Sequence, residues 1–322
     1  MLADILFLAG GLVLILVGAN MLTDGSGAIA RRMGISELVV GLTVVAFGTS
    51  APELAISVIS AIKGSGEMAI GNVVGSNIFN ICAIIGIVSL IRPMKVDRSV
   101  INNEIPVVFI SALFVLVLGN LSLLRGGSAM VMTRFQGIFM LGCFIYFMRY
   151  TVRKSKESNA DVSDEQEQVP VMKTAKAVVF IVAGLAALIG GGEIFVDGAS
   201  GVARKLGISE AVIALTIVAA GTSLPELAVS ITAALKGKPE LALGNVIGSN
   251  IFNVFLVLGA ADAIHPLAFG SIGNVDLLTM TGVSFLFWAF ARFFKVNLIT
   301  RVEGAVLLIS YIVYTGWLII NI

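Results

Sequence analysis

The chain holds only two cysteines, Cys82 and Cys143, and one histidine, His265, in 322 residues. A disulfide framework or a thiolate and imidazole metal centre needs more than that. Charge is scarce as well: Asp, Glu, Lys and Arg make up 13% of the residues and nearly cancel, to a net +1. That leaves little water-facing mass of any kind, and no nucleic-acid partner is expected. Polar stretches are missing too, apart from residues 152–173, VRKSKESNADVSDEQEQVPVMK. This segment mixes charges, has no aromatic residue, and lacks the ligand spacing of a calcium-binding loop, so it is expected to be a solvated linker.

What remains is apolar. Hydrophobic residues make up 57% of the chain and the mean hydropathy is +1.01. Runs long enough to cross a bilayer recur throughout, and ten spans are predicted, at about 4–23, 36–61, 68–91, 104–120, 130–150, 174–195, 209–234, 240–264, 275–292 and 300–320. The first lacks a basic leader and carries Asp4, so it is expected to be a retained span and not a signal peptide. With the amino terminus outside, sixteen of the 21 Lys and Arg residues fall in cytoplasmic loops; Lys63, Arg125, Arg134, Arg204 and Lys205 are the five exceptions. The positive-inside rule therefore predicts both termini outside and the 152–173 linker in the cytoplasm of a plasma (inner) membrane protein. The fourth and fifth spans are largely featureless, and the ninth and tenth are expected to bury no charge.

One segment occurs twice. Residues 41–81 read GLTVVAFGTSAPELAISVISAIKGSGEMAIGNVVGSNIFNI and residues 214–254 read ALTIVAAGTSLPELAVSITAALKGKPELALGNVIGSNIFNV. Aligned without a gap from Gly34 and Gly207, about 31 of 48 positions are identical, and Gly18, Asp24 and Gly25 match Gly191, Asp197 and Gly198 at the same offset of 173. Composition alone does not produce this, so the chain is an internal duplication. The predicted organisation is two five-helix halves, 1–151 and 174–322, joined by the 152–173 linker. Five spans per half invert the second half relative to the first.

The identity concentrates in polar residues that are costly at bilayer depth. In GTSAPE and GTSLPE, Pro52 and Pro225 have no N–H, so the helix is expected to break beside Thr49, Ser50 and Glu53, and again beside Thr222, Ser223 and Glu226. Broken helices that carry a carboxylate near the midplane are how transporters with inverted repeats build ion sites. In GNVVGSNIFN and GNVIGSNIFN, Gly71 and Gly75 are spaced for close helix contact. Ser76 and Asn80 lie one turn apart on one face. Asn72, Asn77, Asn245 and Asn250 are equally well explained as interhelical hydrogen-bonding residues. Carboxylates, hydroxyls, amide oxygens and freed carbonyls form a hard oxygen donor set, suited to Ca²⁺, Na⁺ or Mg²⁺.

These paired motifs resemble the α-repeats of the sodium/calcium exchanger family, within the cation/calcium antiporter superfamily, and are most like its compact prokaryotic members. The resemblance implies an all-α integral membrane protein with ten transmembrane helices in two inverted five-helix repeats, broken at the midplane. It implies a secondary antiporter, not an enzyme, that exchanges several Na⁺ for Ca²⁺ by alternating access without a cofactor. Carried over by position, Glu53 and Glu226 with the carbonyls of Thr49 and Thr222 match Ca²⁺ ligands. Ser50, Ser76, Asn80, Ser223, Ser249 and Asn253, the carbonyls of Ala46 and Ala219, and the same two glutamates match Na⁺ sites. Asn253 stands where some relatives carry Asp, which makes K⁺ cotransport less expected. An H⁺- or K⁺-dependent exchanger and a cation channel remain alternatives at this point. An intramembrane hydrolase is disfavoured, because no span holds a histidine or a placed lysine to activate a serine.

Overall fold

The structure is a computed structural model that describes residues 1–124, 126–160, 172–207, 219–295 and 297–320. Its helices are α1 (Leu2–Met33), α2 (Glu37–Thr49), α3 (Ala51–Ile62), α4 (Gly66–Ile91), α5 (Arg98–Leu124), α6 (Arg134–Ala160), α7 (Thr174–Lys205), α8 (Ala219–Gly221), α9 (Leu224–Leu235), α10 (Pro239–Ile264), α11 (Asn274–Phe294) and α12 (Arg301–Ile320). Four two-residue strands lie between them: β1 (Met94–Lys95), β2 (Val131–Met132), β3 (Leu267–Ala268) and β4 (Leu298–Ile299). Among the described residues eight helices are long and apolar enough to span a membrane, and the broken pair α2 and α3 makes a ninth span. The seventh expected span begins outside the described residues, and its second half is α8 and α9. The protein is thus a multi-pass helical membrane protein.

The first and sixth spans run about ten residues past their expected ends, to Met33 and Lys205. Small residues and Asp24 or Asp197 lower the hydropathy there without breaking the helix.

By packing, the chain forms two compact units: Met1–Thr49 with Met148–Val246, and Ser50–Phe147 with Ile247–Ile322. Each takes segments from both sequence halves. The chain passes from one unit to the other inside both repeated motifs, at Thr49–Ser50 and Val246–Ile247.

In the first unit α1 and α7 pack along their lengths. A Cβ at Gly11 would lie 2.7 Å from the Gly191 carbonyl oxygen, at Gly18 2.7 Å from that of Gly184, at Gly25 2.8 Å from that of Ala177, and at Gly198 2.7 Å from that of Asp4. Partner numbers fall as residue numbers rise, so the helices are antiparallel. The seven-residue spacing keeps the glycines on one face, where they let backbones touch. Each contact is also made with the halves exchanged: Gly11 meets Gly191 as Gly184 meets Gly18. That reciprocity is the signature of a two-fold relation.

The second unit repeats the pattern. Strand β1 pairs with β4 (Met94 opposite Ile299), and β3 pairs with β2 (Leu267 opposite Met132), which is one contact made twice with the halves swapped. Gly86 and Gly304 approach so closely that a Cβ at Gly304 would lie 2.9 Å from the Gly86 carbonyl oxygen, and a Cβ at Gly137 would lie 2.7 Å from that of Gly259. Both glycines follow a matching turn: TRFQG at 133–137 and TRVEG at 300–304. In each, the side chain three residues on caps the threonine N–H, Gln136 Oε1 at 2.7 Å from Thr133 and Glu303 Oε2 at 2.8 Å from Thr300.

Charge is buried in the ninth and tenth spans, contrary to expectation, at Asp276 and Glu303. Both serve helix starts: Asp276 accepts from the Gly273 N–H at 2.9 Å and from the Tyr314 hydroxyl at 2.8 Å. Glu104 in α5 is buried as well. Gly71 and Gly75 do not make the expected close helix contact. A Cβ at Gly75 would meet nothing within 4 Å, and one at Gly71 only the Ile272 side chain.

Candidate cation site

The helix breaks twice at the matched position, with nearly the same geometry. Ser50 has φ −84° and ψ 7°, and Ser223 has φ −90° and ψ 6°. Both lie outside the helical well, in the bridge region. Pro52 and Pro225 then occupy the second position of α3 and α9, where a helix needs no N–H. The carbonyls of Gly48 and Gly221, four residues earlier, are left without an i+4 donor. Both glycines leave room for a neighbouring side chain: a Cβ would lie 2.4 Å from the Leu185 side chain at Gly48 and 2.3 Å from that of Val196 at Gly221, so either would have to move.

Glu53 and Glu226 fall at the third position of α3 and α9, and both are fully buried. The positive end of the helix dipole favours a carboxylate there, which offsets part of a desolvation cost of several kcal/mol. An asparagine braces each backbone. Asn72 Nδ2 donates to the Glu53 carbonyl at 3.3 Å and to Ser57 Oγ at 3.0 Å. Asn245 Nδ2 donates to the Glu226 carbonyl at 3.3 Å and to Ser230 Oγ at 3.1 Å. The two braces match at the offset of 173.

The first unit holds Ala46, Thr49, Thr222, Ser223 and Glu226, with the Ala219 backbone in α8. The Thr49 hydroxyl donates to Asn245 Oδ1 at 3.1 Å, with the Ala46 carbonyl 3.5 Å away. Thr222 Oγ1 is buried without a hydrogen-bond partner. The second unit holds Ser50, Glu53, Ser76, Asn80, Ser249 and Asn253, all buried. Asn77 Nδ2 donates to the Asn250 carbonyl at 3.3 Å, and Asn253 Nδ2 donates to Asn77 Oδ1 at 3.1 Å. Asn72, Asn77 and Asn245 are therefore braces. Neither amide atom of Asn80 has a partner, nor does Asn253 Oδ1. Such atoms cost about 1–3 kcal/mol each when left unmade, and a bound cation would take the oxygens.

Two features went unread in the sequence. Ser57 and Ser230 recur at the same offset, which was a visible signal. The π-helical turns at Asn80–Ile85 and Asn253–Leu258 begin on the matched asparagines. Such turns concentrate at functional sites, but nothing in residue type marks them beforehand.

A multi-pass helical protein with a buried carboxylate beside each of two matched helix breaks, among oxygen donors only, belongs to the class of cation transporters. The chain belongs to the sodium/calcium exchanger protein family, whose model matches residues 4–153 and 176–320. It is 38% identical over 320 residues to the putative antiporter CaxA of Alkalimonas amylolytica, with 98% of each chain covered. It is 34% identical over 342 residues to the sodium/calcium exchanger MaX1 of Methanosarcina acetivorans, with 97% of each covered. Among solved structures it resembles the sodium-calcium exchanger NCX_Mj soaked with 2.5 mM Na⁺ and 0.1 mM Ca²⁺, at TM-score 0.82 and 32% identity over 97% of both chains. NCX_Mj without Na⁺ and Ca²⁺ matches at TM-score 0.83 and 33% identity, over 98% of this chain and 99% of that one.

Proposed function

We propose that this protein exchanges several Na⁺ for Ca²⁺ across the plasma (inner) membrane by alternating access, using one set of competing ligands drawn from both repeats. One observation carries the reading: each repeat buries a single glutamate at the third position of a helix that follows a matched break. Two carboxylates neutralise one divalent cation, whereas neither is tolerated uncompensated at bilayer depth. In this reading Glu53, Glu226 and the carbonyls of Thr49 and Thr222 take Ca²⁺. Ser50, Ser76, Asn80, Ser223, Ser249, Asn253 and the carbonyls of Ala46 and Ala219 add neutral ligands for Na⁺, which shares the glutamates.

The organisation proposed is ten spans, with halves 1–151 and 174–322 inverted about the membrane plane and the 152–173 linker cytoplasmic. The reciprocal contacts of α1 with α7, and of the strand pairs, support a two-fold relation between the halves. Names of relatives support Na⁺ and Ca²⁺ as the transported ions.

A site of charge about −2 cannot hold Ca²⁺ together with several Na⁺ at low dielectric. Equilibrium Ca²⁺ binding to purified protein is therefore expected to weaken as Na⁺ replaces choline at constant ionic strength. Ca²⁺ affinity that is unchanged or raised by Na⁺ contradicts a shared site.

A further inference from the structure

The two repeats differ at about a third of their matched positions, and three of the differing residues, Gly27, Gly41 and Lys238, lie close together in the first unit. Lys238, just before α10, puts its Nζ 3.0 Å from Glu37 Oε1 and 3.5 Å from the Thr23 carbonyl oxygen. Arg31 lies 3.9 Å from the same carboxylate. The ammonium occupies the space where Gly27 has no side chain, since a Cβ there would be 1.9 Å from Nζ. The Lys238 and Glu37 side chains are 15% and 23% exposed, so the pair is partly dry. Next to it α2 and α10 meet backbone to backbone. A Cβ at Gly41 would lie 2.7 Å from the Leu241 carbonyl oxygen, and at Gly244 2.4 Å from that of Leu38.

At the offset of 173 the other repeat has Ser200 for Gly27, Ala214 for Gly41 and Ser65 for Lys238, although Glu37 and Gly244 keep their counterparts Glu210 and Gly71. Its sequence thus has serine at the position matched to Lys238 and alanine at the position matched to Gly41. Ala214 and Glu210 lie outside the described residues.

We propose that the Lys238–Glu37 pair seated on Gly27 is a latch that holds the α2/α10 seam shut. The lysine and the glycine that form it occur at matched positions in one repeat only, so the two faces of the carrier close with unequal strength. The proposal rests on the alternating-access reading. Identical halves would make the two closures equal in free energy; a latch on one side biases the empty carrier toward closure on the Lys238 face.

The test uses full-length protein lacking Cys82 and Cys143, with one reporter cysteine, in vesicles free of Na⁺ and Ca²⁺. Leu241→Cys reports the seam and is labelled by a membrane-impermeant maleimide from the Lys238 face. Gly75→Cys, on the exposed side of α4, is the reporter expected to label from the opposite face. Glu37→Gln, Lys238→Ser and Gly27→Ser are each expected to speed labelling of Leu241→Cys on the order of fivefold, the scale of one partly exposed ion pair. Labelling of Gly75→Cys is expected to stay the same or slow. No change at Leu241→Cys overturns the latch. Faster labelling at both reporters also overturns it, because that is a loosened fold. Ca²⁺ exchange by unsubstituted vesicles is measured in parallel, so a failure of the transport reading shows there and not in the labelling pattern.

Discussion

The Thr49 hydroxyl donates to Asn245 Oδ1 at 3.1 Å, so a residue at the first helix break holds the asparagine that braces Glu226 in the other repeat. Asn245 spends its oxygen on Thr49 and its nitrogen on the Glu226 carbonyl and Ser230. Its removal therefore takes a hydrogen bond from three buried groups at once. Asn245→Ala is expected to lower stability by about 1–3 kcal/mol, read as a fall in unfolding temperature in detergent. Thr49→Val, which deletes the hydroxyl but keeps the carbonyl proposed as a Ca²⁺ ligand, is expected to cost about 1 kcal/mol and to leave Ca²⁺ binding in place. A Thr49→Val protein that unfolds normally but cannot bind Ca²⁺ would move the ligand role to the hydroxyl.

Glu53→Gln and Glu226→Gln are each expected to abolish Ca²⁺ exchange while the protein still folds. One remaining carboxylate does not neutralise a divalent ion at that depth. Near-normal uptake by either variant removes that residue from the site.

The α1/α7 seam makes a stability prediction with an internal control. Gly11 meets the Phe195 amide nitrogen at 2.5 Å from a would-be Cβ, while its neighbour Gly10 meets nothing within 4 Å. Gly11→Ala is expected to destabilise by about 1–3 kcal/mol through overpacking against backbone. Gly10→Ala is expected to be neutral, or to gain up to about 1 kcal/mol from helix propensity. Equal effects would mean that α1 and α7 do not touch along this face.

Topology is tested by single cysteines at Ser65 and Ser158 in a background lacking Cys82 and Cys143. They are expected to label from opposite sides of the membrane. Labelling from one side would break the inverted repeat.

The candidate residues stand out in the sequence because polar groups are expensive where they stand. Glu53, Asn80 and their matches at 226 and 253 have few uses inside an apolar run, and each occurs twice. Proline at 52 and 225 located the breaks for a covalent reason, the missing N–H. Glycine was less informative: Gly75 looked like a packing residue and is exposed, whereas Gly11, Gly18 and Gly191 carry the tight seam. A small residue permits close approach without saying what approaches. Asp276 and Glu303 were missed as buried charge because capping depends on three-residue geometry that hydropathy averaging blurs. The repeated TRFQG and TRVEG turns fell at an offset of 167, not 173, and so escaped an ungapped comparison.

Coupling of the two ions is tested most directly by Ca²⁺ uptake into proteoliposomes loaded with Na⁺ and diluted into Na⁺-free medium, with K⁺ and H⁺ gradients of equal size as controls. The account predicts uptake against the Ca²⁺ gradient that requires the Na⁺ gradient, stops when it is collapsed, and is absent with Glu53→Gln or Glu226→Gln. Uptake driven equally by K⁺ or H⁺, or Ca²⁺ flux that only runs downhill whatever the Na⁺ gradient, would contradict Na⁺/Ca²⁺ exchange.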